Sequence, residues 1–131
     1  MSGRLCATYM LLAATFSVGC LSANGKPPRA SYPSQLHGIW QGDGNTCLLP
    51  GNLDSDTRRE IKPDRLIGYE HSNTPMAVFQ ISRKPLAWKI KSLLHINEHF
   101  FDEYEIYALS SDLRLLTVID ESRSATYVKC R

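Results

Sequence analysis

Residues 86–108, LAWKIKSLLHINEHFFDEYEIYA, decide the fold class. Apolar and polar side chains alternate through the first half, and a second alternating segment follows a short polar interruption. Alternation with a period of two places one set of side chains on each face of a β-strand. The stretch therefore predicts two antiparallel strands joined by a tight turn. A helix through residues 88–107 is the competing interpretation, but it would spread the aromatic side chains around its circumference.

The predicted hairpin joins strands 86–95 and 99–108 by a three-residue loop, 96–98. This register sets Lys89 opposite Glu105 and Lys91 opposite Glu103 on an exposed face, while apolar pairs meet on the other face. A shift of one residue would move every side chain to the opposite face. Because the glutamates would be paired with lysines in solvent, we expect them not to act as an acid–base pair.

The rest of the chain repeats the same pattern. Clusters of Gly, Pro, Asn, Asp and Ser recur about every ten residues from position 42 to position 122, which is typical of short antiparallel strands in a sandwich or barrel. The chain has 131 residues and a net charge of +2, so it has room for one core and no charge excess that would indicate nucleic acid. We predict an all-β fold: a single small antiparallel β-barrel or barrel-like sheet of about eight short strands over residues 36–131.

The N-terminal region predicts export. Residues 1–23 place Arg4 ahead of a mostly apolar run and end in small and polar residues, the pattern of a secretory signal peptide. The run is too diluted by polar residues to favour a membrane-spanning helix, so no such span is expected after cleavage. Residues 24–35 contain three prolines and predict an extended linker.

The sequence is compatible with two positions for cleavage of the signal peptide. Residues 17–20, Ser-Val-Gly-Cys, resemble a bacterial lipobox, which implies lipidation of Cys20 and anchoring to a membrane surface. A cut after Ala23 fits the small-residue rule of signal peptidases and would leave no lipid anchor. Both alternatives imply export, and the lipobox resemblance implies a bacterial protein, either in the periplasm or associated with the outer membrane.

The four cysteines agree with export. Cys6 leaves with the signal peptide, and Cys20 is either lipidated or removed. Cys47 and Cys130 are then predicted to form a disulfide, two separate buried thiols being the alternative. Closing a loop of more than 80 residues should stabilise the fold by about 4 kcal/mol.

The sequence motifs give little support for catalysis or for metal binding. Residues 95–99 spell H-x-x-E-H, but that metalloprotease motif requires a helix. In the predicted register His95 and His99 oppose each other at the hairpin tip. They could share a metal ion there, but we favour the alternative that they are two solvated turn residues. We expect a non-enzymatic protein without cofactor or bound metal.

Gly38-Ile39-Trp40, at the start of the first predicted strand, resembles the G-x-W motif of the lipocalins and related calycin barrels. The resemblance implies that Trp40 closes the barrel floor and that a late arginine, Arg114 or Arg131, lies over it. It also implies a small apolar ligand held inside the barrel. The candidate residues lining such a cavity are Trp40, Phe79, Trp88 and Tyr104.

Residues 122–127, Ser-Arg-Ser-Ala-Thr-Tyr, resemble the serine-rich, tyrosine-terminated inhibitory loop of periplasmic lysozyme inhibitors. Size, export signal and disulfide also fit that group. We therefore predict an exported binding or interaction module of the bacterial cell envelope with an unknown protein partner. A small apolar-ligand carrier and an enzyme inhibitor are the alternatives. A packed barrel interior would favour the interaction module, and a void would favour the carrier.

Overall fold

The computed structural model describes residues 25–131, so the predicted signal peptide, with Cys6 and Cys20, lies outside the described residues. This part of the chain forms eight strands, each antiparallel to the next, and the first pairs with the last to close a barrel. The prediction of an all-β antiparallel barrel is confirmed. The strands are β1 (Gly38–Gln41), β2 (Arg59–Ile61), β3 (Leu66–Ile67), β4 (His71–Arg83), β5 (Leu86–Ile96), β6 (His99–Leu109), β7 (Leu115–Ile119) and β8 (Ser124–Lys129).

The strands differ greatly in length, which makes the two ends of the barrel unlike. Strands β4, β5 and β6 have 13, 11 and 11 residues, whereas β7 pairs with only residues 106–109 of β6. The β5–β6 hairpin therefore projects past its shorter neighbour. We call this end, which also carries the β3–β4 and β7–β8 turns, the mouth. The opposite end is the floor, where a 3-10 helix, η1 (Ser34–Leu36), precedes β1.

Trp40 lies at the floor, as the resemblance to lipocalins implied. Its side chain is fully buried, and its indole Nε1 donates a hydrogen bond of 2.8 Å to the carbonyl of Leu36 in η1. The cation above the ring is Lys129, whose Nζ lies 5.0 Å from the ring centroid. The expectation of Arg114 or Arg131 is wrong, because Lys129 is the direct partner of Trp40 across the β1–β8 ladder and so shares its face.

Trp40→Phe should lower the free energy of unfolding by about 2 kcal/mol, because the buried Leu36 carbonyl loses its donor and the floor loses packing. Urea denaturation measures the change. Trp88→Phe is the matched control: Trp88 is also buried, but its indole has no hydrogen-bond partner in residues 25–131. Equal losses in the two variants would contradict the role of the Trp40 hydrogen bond.

The predicted disulfide between Cys47 and Cys130 is confirmed, and it bridges a sequence separation of 83. It lies beside the seam between β1 and β8, where the ladder contains only two residue pairs. The Cys130 amide donates to the carbonyl of Ile39, and the Arg131 amide donates to that of Cys47. The disulfide thus fastens the long β1–β2 connection to the end of the last strand.

The predicted linker is wrong at Tyr32, which belongs to the core. Its side chain is 1% exposed and its ring packs edge-on against Tyr107, with centroids 6.2 Å apart. Its amide donates to the carbonyl of Pro63 at 2.9 Å, while residues 25–29 remain exposed. The folded domain therefore begins at Tyr32 instead of residue 36. A lone aromatic residue among prolines carries no periodic signal, so the sequence pattern did not reveal this.

The predicted register of the β5–β6 hairpin is also wrong, by one residue. Lys89 pairs with Ile106, and Lys91 pairs with Tyr104. The turn has two residues instead of three, with Asn97 at a positive φ of 54°, a conformation that asparagine tolerates in tight hairpin turns. As a consequence, Glu105 faces the barrel interior, and Lys91 instead forms an ion pair with Asp102 on the outer surface at 2.8 Å.

Candidate functional site

The interior of the barrel is filled by side chains over most of its height. The buried core combines aromatic and aliphatic residues from every strand except β4 and from the segment before β1: Tyr32, Leu36, Trp40, Ile61, Leu66, Trp88, Ile90, Tyr107, Leu109, Leu116, Val118 and Tyr127. Packing of this kind leaves no room in the lower barrel for a ligand of lipid size.

Two of the four predicted cavity residues are not inside. Trp40 and Trp88 are buried in the core, but Phe79 is 62% exposed and Tyr104 is 48% exposed on the outer surface. The prediction fails for Tyr104 because of the one-residue register shift. It fails for Phe79 because a bulge between Pro75 and Ala77 breaks the alternation of β4, so that Val78 packs on the core instead.

A small cavity of about 110 Å³ opens at the mouth. It is far smaller than the roughly 300–1,000 Å³ of typical ligand pockets. Its walls come from β2, β4, β5, β6 and the β7–β8 turn, and they are mostly polar: Arg59, His71, Asn73, Leu94, Ile96, Glu103, Glu105 and Arg123.

A buried ion pair forms one side of this cavity. Glu105 is 6% exposed, and one of its oxygens lies 3.6 Å from Nη1 of Arg59. Arg59 faces inward because it is the ladder partner of Trp40, and its guanidinium lies 4.6 Å above the ring of Tyr127. The Tyr107 hydroxyl donates to the other oxygen of Glu105. Burial, followed by the charge of Glu105, holds the pKa of Tyr107 well above its usual value.

Glu103 forms the other acidic wall, and its charge is less well compensated. The Asn73 side-chain amide donates to one Glu103 oxygen and also to the Ser92 hydroxyl, at 3.0 Å. In residues 25–131, no Lys, Arg or His nitrogen lies within 4.0 Å of the Glu103 carboxylate. Partial burial and the neighbouring charge of Glu105 raise the pKa of Glu103. Its ionisation therefore lowers folding stability as the pH rises through the raised pKa, and the cost is absent below the unfolded-state pKa.

A further buried polar group has no partner. The Tyr32 hydroxyl makes no hydrogen bond within the part of the chain that the structure describes, although the residue is almost wholly inaccessible. Burial, and then the charge of Glu105, raise its pKa. The Tyr32 hydroxyl is thus a buried group that can both donate and accept a hydrogen bond.

The two histidines of the hairpin do not meet. His95 pairs with Phe100 and stacks on its ring, with centroids 4.5 Å apart, whereas His99 pairs with Ile96. Adjacent positions on a strand face opposite sides, so the hypothesis of a shared metal ion at His95 and His99 is wrong. Residues 25–131 contain no group of three or more His, Cys, Asp or Glu side chains that could hold a metal ion.

The hairpin tip, which we define as residues 95–101, carries exposed apolar side chains. Phe100 and Phe101 are 61% and 53% exposed, and Ile96 is 37% exposed. The predicted register placed the apolar pairs of this hairpin on its inner face and therefore did not indicate an exposed tip. The signal was available in two consecutive phenylalanines directly after a polar turn.

The segment that resembles a lysozyme-inhibitor loop is not a loop over its full length. Only Ser122 and Arg123 lie in the β7–β8 turn, where Asp120 accepts hydrogen bonds from both backbone amides. The remaining residues belong to β8, and Tyr127 is buried beneath Arg59. A buried tyrosine is not available to contact another protein.

Comparison of the chain with protein-family models, with curated proteins and with solved structures finds no match. Within residues 25–131, no helix is long and apolar enough to cross a membrane.

Proposed function

We propose that this protein is an exported, non-enzymatic interaction module of the bacterial cell envelope that contacts a partner protein with the mouth of its barrel. The observation that carries the proposal is the projecting β5–β6 hairpin, whose exposed Phe100 and Phe101 stand at the mouth of a barrel with a packed interior. Residues 1–23 and the Cys47–Cys130 disulfide support export, because such bonds persist in oxidising compartments.

The hairpin tip supports contact with a protein. Phe100 and Phe101 are both more than half exposed at the end of a projecting hairpin. Clustered exposed apolar side chains commonly mark interaction sites, and aromatic residues are frequent anchors of protein interfaces. Polar groups surround the tip, including Asp102 on the same strand and Arg123 on the opposite turn. An apolar anchor within a polar rim is the usual anatomy of such an interface.

A lipocalin-type carrier is supported less well. Carriers of apolar molecules need an apolar cavity of several hundred Å³, whereas the mouth cavity is about 110 Å³ and is lined by Arg59, Glu103 and Glu105. Catalysis is also disfavoured. Glu105 is held by Arg59 and Tyr107, and no nucleophile with an adjacent base faces the cavity among the described residues.

A non-denaturing mass spectrum of the chain recovered from its own host's envelope tests the proposal. We expect a retained complex with a protein of defined mass, and we expect Phe100→Ser/Phe101→Ser to reduce the recovered complex at least tenfold, since both anchors are lost. Ile81→Ser is the matched control, because Ile81 is similarly exposed but lies near the floor end of β4. A releasable small-molecule adduct, or a complex that survives the tip substitutions, would contradict the proposal.

A further inference from the structure

Positive and negative charges are distributed unevenly around the barrel. Strands β4 and β5 with the turn between them, residues 71–96, contain no Asp or Glu, and neither do residues 25–36 ahead of β1. All 13 acidic side chains of the chain therefore lie elsewhere. These two stretches nevertheless carry six cations: Lys26, Arg29, Arg83, Lys84, Lys89 and Lys91. The net charge of +2 is thus the sum of a basic part and an acidic remainder.

The two stretches lie side by side on the outside of the barrel. Residues 26–30 lie against β4, where they form a cavity of about 490 Å³ together with residues 74–76. In the β4–β5 ladder, Phe79 is the partner of Lys89. Partners across a ladder share a face, so Lys89 lies on the outer surface with the exposed Phe79. We call the surface formed by residues 26–30 and by the outer side of β4, β5 and their turn the basic face.

Five of the six cations on the basic face form no ion pair within the described chain. All except Lys91 belong to exposed residues, and in residues 25–131 none of these five has a carboxylate oxygen within 4.0 Å. Lys91 is paired with Asp102 of β6 at 2.8 Å. Protein surfaces normally intersperse both signs of charge. A face with five uncompensated cations therefore indicates an anionic partner.

Exposed apolar side chains stand among these cations. Met76, Phe79 and Ile81 of β4 are 55%, 62% and 53% exposed. Surfaces that bind membranes at the interface combine the same two features. Their lysines and arginines attract anionic headgroups, while aromatic and aliphatic side chains enter the boundary between headgroups and acyl chains. The apolar side chains thus favour a lipid surface over a soluble polyanion.

A groove at the floor end of the basic face matches a lipid headgroup. It has a volume of about 640 Å³ and lies between the β4–β5 turn and the β6–β7 turn. Arg83 and Lys84 line one part of it, Leu86 and Leu113 line another, and no carboxylate belongs to its lining among the described residues. Asp112 of the β6–β7 turn accepts hydrogen bonds from its own turn instead. A phosphate in this groove would meet two cations, and the adjoining acyl chain would meet the leucines.

From these features we infer that the basic face binds the surface of a phospholipid bilayer that contains anionic lipid. The cations contact headgroup phosphates, and Met76, Phe79 and Ile81 enter the headgroup region. Fluid headgroups rearrange around the convex side of a barrel, whereas a folded acidic protein would need a fixed complementary surface. The inference goes beyond the proposed function, because it uses side chains outside the hairpin tip. It also does not require a lipid on Cys20.

Co-sedimentation of the disulfide-bonded protein with vesicles tests the inference. One set of vesicles contains equal parts of phosphatidylglycerol and phosphatidylcholine, and the other contains phosphatidylcholine alone. We expect about tenfold or stronger partition onto the anionic vesicles, and we expect this preference to fall as salt is added. An acyl chain on the protein would bind both kinds of vesicle alike, so the preference reports the basic face. Equal partition onto the two kinds of vesicle would overturn the inference.

A matched pair of double variants locates the binding surface. Arg83→Gln/Lys89→Gln removes one arginine and one lysine from the basic face and should weaken binding to the anionic vesicles about tenfold or more. Lys62→Gln/Arg123→Gln removes the same charges from the β2–β3 and β7–β8 turns, where the side chains are 48% and 74% exposed, and should leave most of the binding intact. Because all four side chains are exposed, both variants should unfold at similar urea concentrations. Equal weakening by both variants would be a response to net charge and would contradict the basic face.

A second pair of variants distinguishes a bilayer from a soluble polyanion. Phe79→Ser removes a ring that is 62% exposed on the basic face and should weaken binding to the anionic vesicles several-fold, because no ring then enters the lipid. Phe100→Ser makes the same substitution at the hairpin tip, where the ring is 61% exposed, and should leave vesicle binding unchanged. If Phe79→Ser bound the vesicles as tightly as the wild type, the face would attract anions in general and the bilayer inference would be wrong. Since the tip variants test the protein partner and the variants of the basic face test the bilayer, failure of one experiment does not decide the other.

Discussion

Arg59→Gln is expected to lower the free energy of unfolding by about 4 kcal/mol, the largest effect of a single substitution outside the apolar core. Glu105 is 6% exposed and lies 3.6 Å from the guanidinium, so removal of Arg59 leaves a carboxylate inside the barrel without its cation. Tyr107 continues to donate to Glu105, but a neutral hydrogen bond does not replace the lost charge. Urea denaturation at pH 7 measures the loss.

A double-mutant cycle shows whether the loss belongs to the pair. Glu105→Gln alone should lower the free energy of unfolding by a similar amount, because Arg59 is then the unpaired buried charge. The double variant Arg59→Gln/Glu105→Gln should be clearly more stable than the sum of the two losses indicates. Lys91→Gln is the surface comparison: its pair with Asp102 is solvent-exposed and should contribute far less to the free energy of unfolding. If the losses in the free energy of unfolding from the two single substitutions added up in the double variant, Arg59 and Glu105 would not stabilise the fold as a pair.

Loss of the disulfide is expected to destabilise the protein by about 4 kcal/mol, because the bond closes a loop with a sequence separation of 83 and restricts the unfolded chain. Cys47→Ser/Cys130→Ala removes the bond while keeping both side chains small. Urea unfolding of this variant should coincide with that of the reduced wild-type protein. The same variant should also show faster amide hydrogen exchange at the β1–β8 seam, which has only two ladder pairs.

The reduced wild-type protein is the control for side-chain effects at the two positions. If the double variant kept the stability of the oxidised protein to within about 1 kcal/mol, the disulfide would not be the main fastening of the seam. If only the variant were destabilised and the reduced protein were not, the buried position of Cys130 would be responsible instead.

Much of the architecture was accessible from the sequence. Period-two alternation and turn signals about every ten residues predicted an antiparallel all-β barrel, and cysteine count with the predicted export signal indicated the Cys47–Cys130 pair. The G-x-W motif correctly indicated Trp40 at the floor. These features are local or countable, since each depends on residue types at fixed spacing in one segment.

The errors in assigning the inner faces of β4 and β6 share a physical cause. The length of the β5–β6 turn was misjudged by one residue, and this single step exchanged the inner and outer faces of β6. A bulge in β4 did the same to Phe79. Alternation establishes that a strand has two faces, but it does not identify the buried face when both faces carry apolar side chains.

The sequence by itself determined that this chain forms a disulfide-fastened antiparallel barrel with a tryptophan at its floor. Only the tertiary structure decided what the barrel holds at its mouth. Arg59, Asn73 and Glu103 come from three different strands, and nothing in their spacing along the chain brings them together. Closure of the sheet does so, because it turns one face of every strand toward a common axis, where opposite charges must meet partners or remain unpaired.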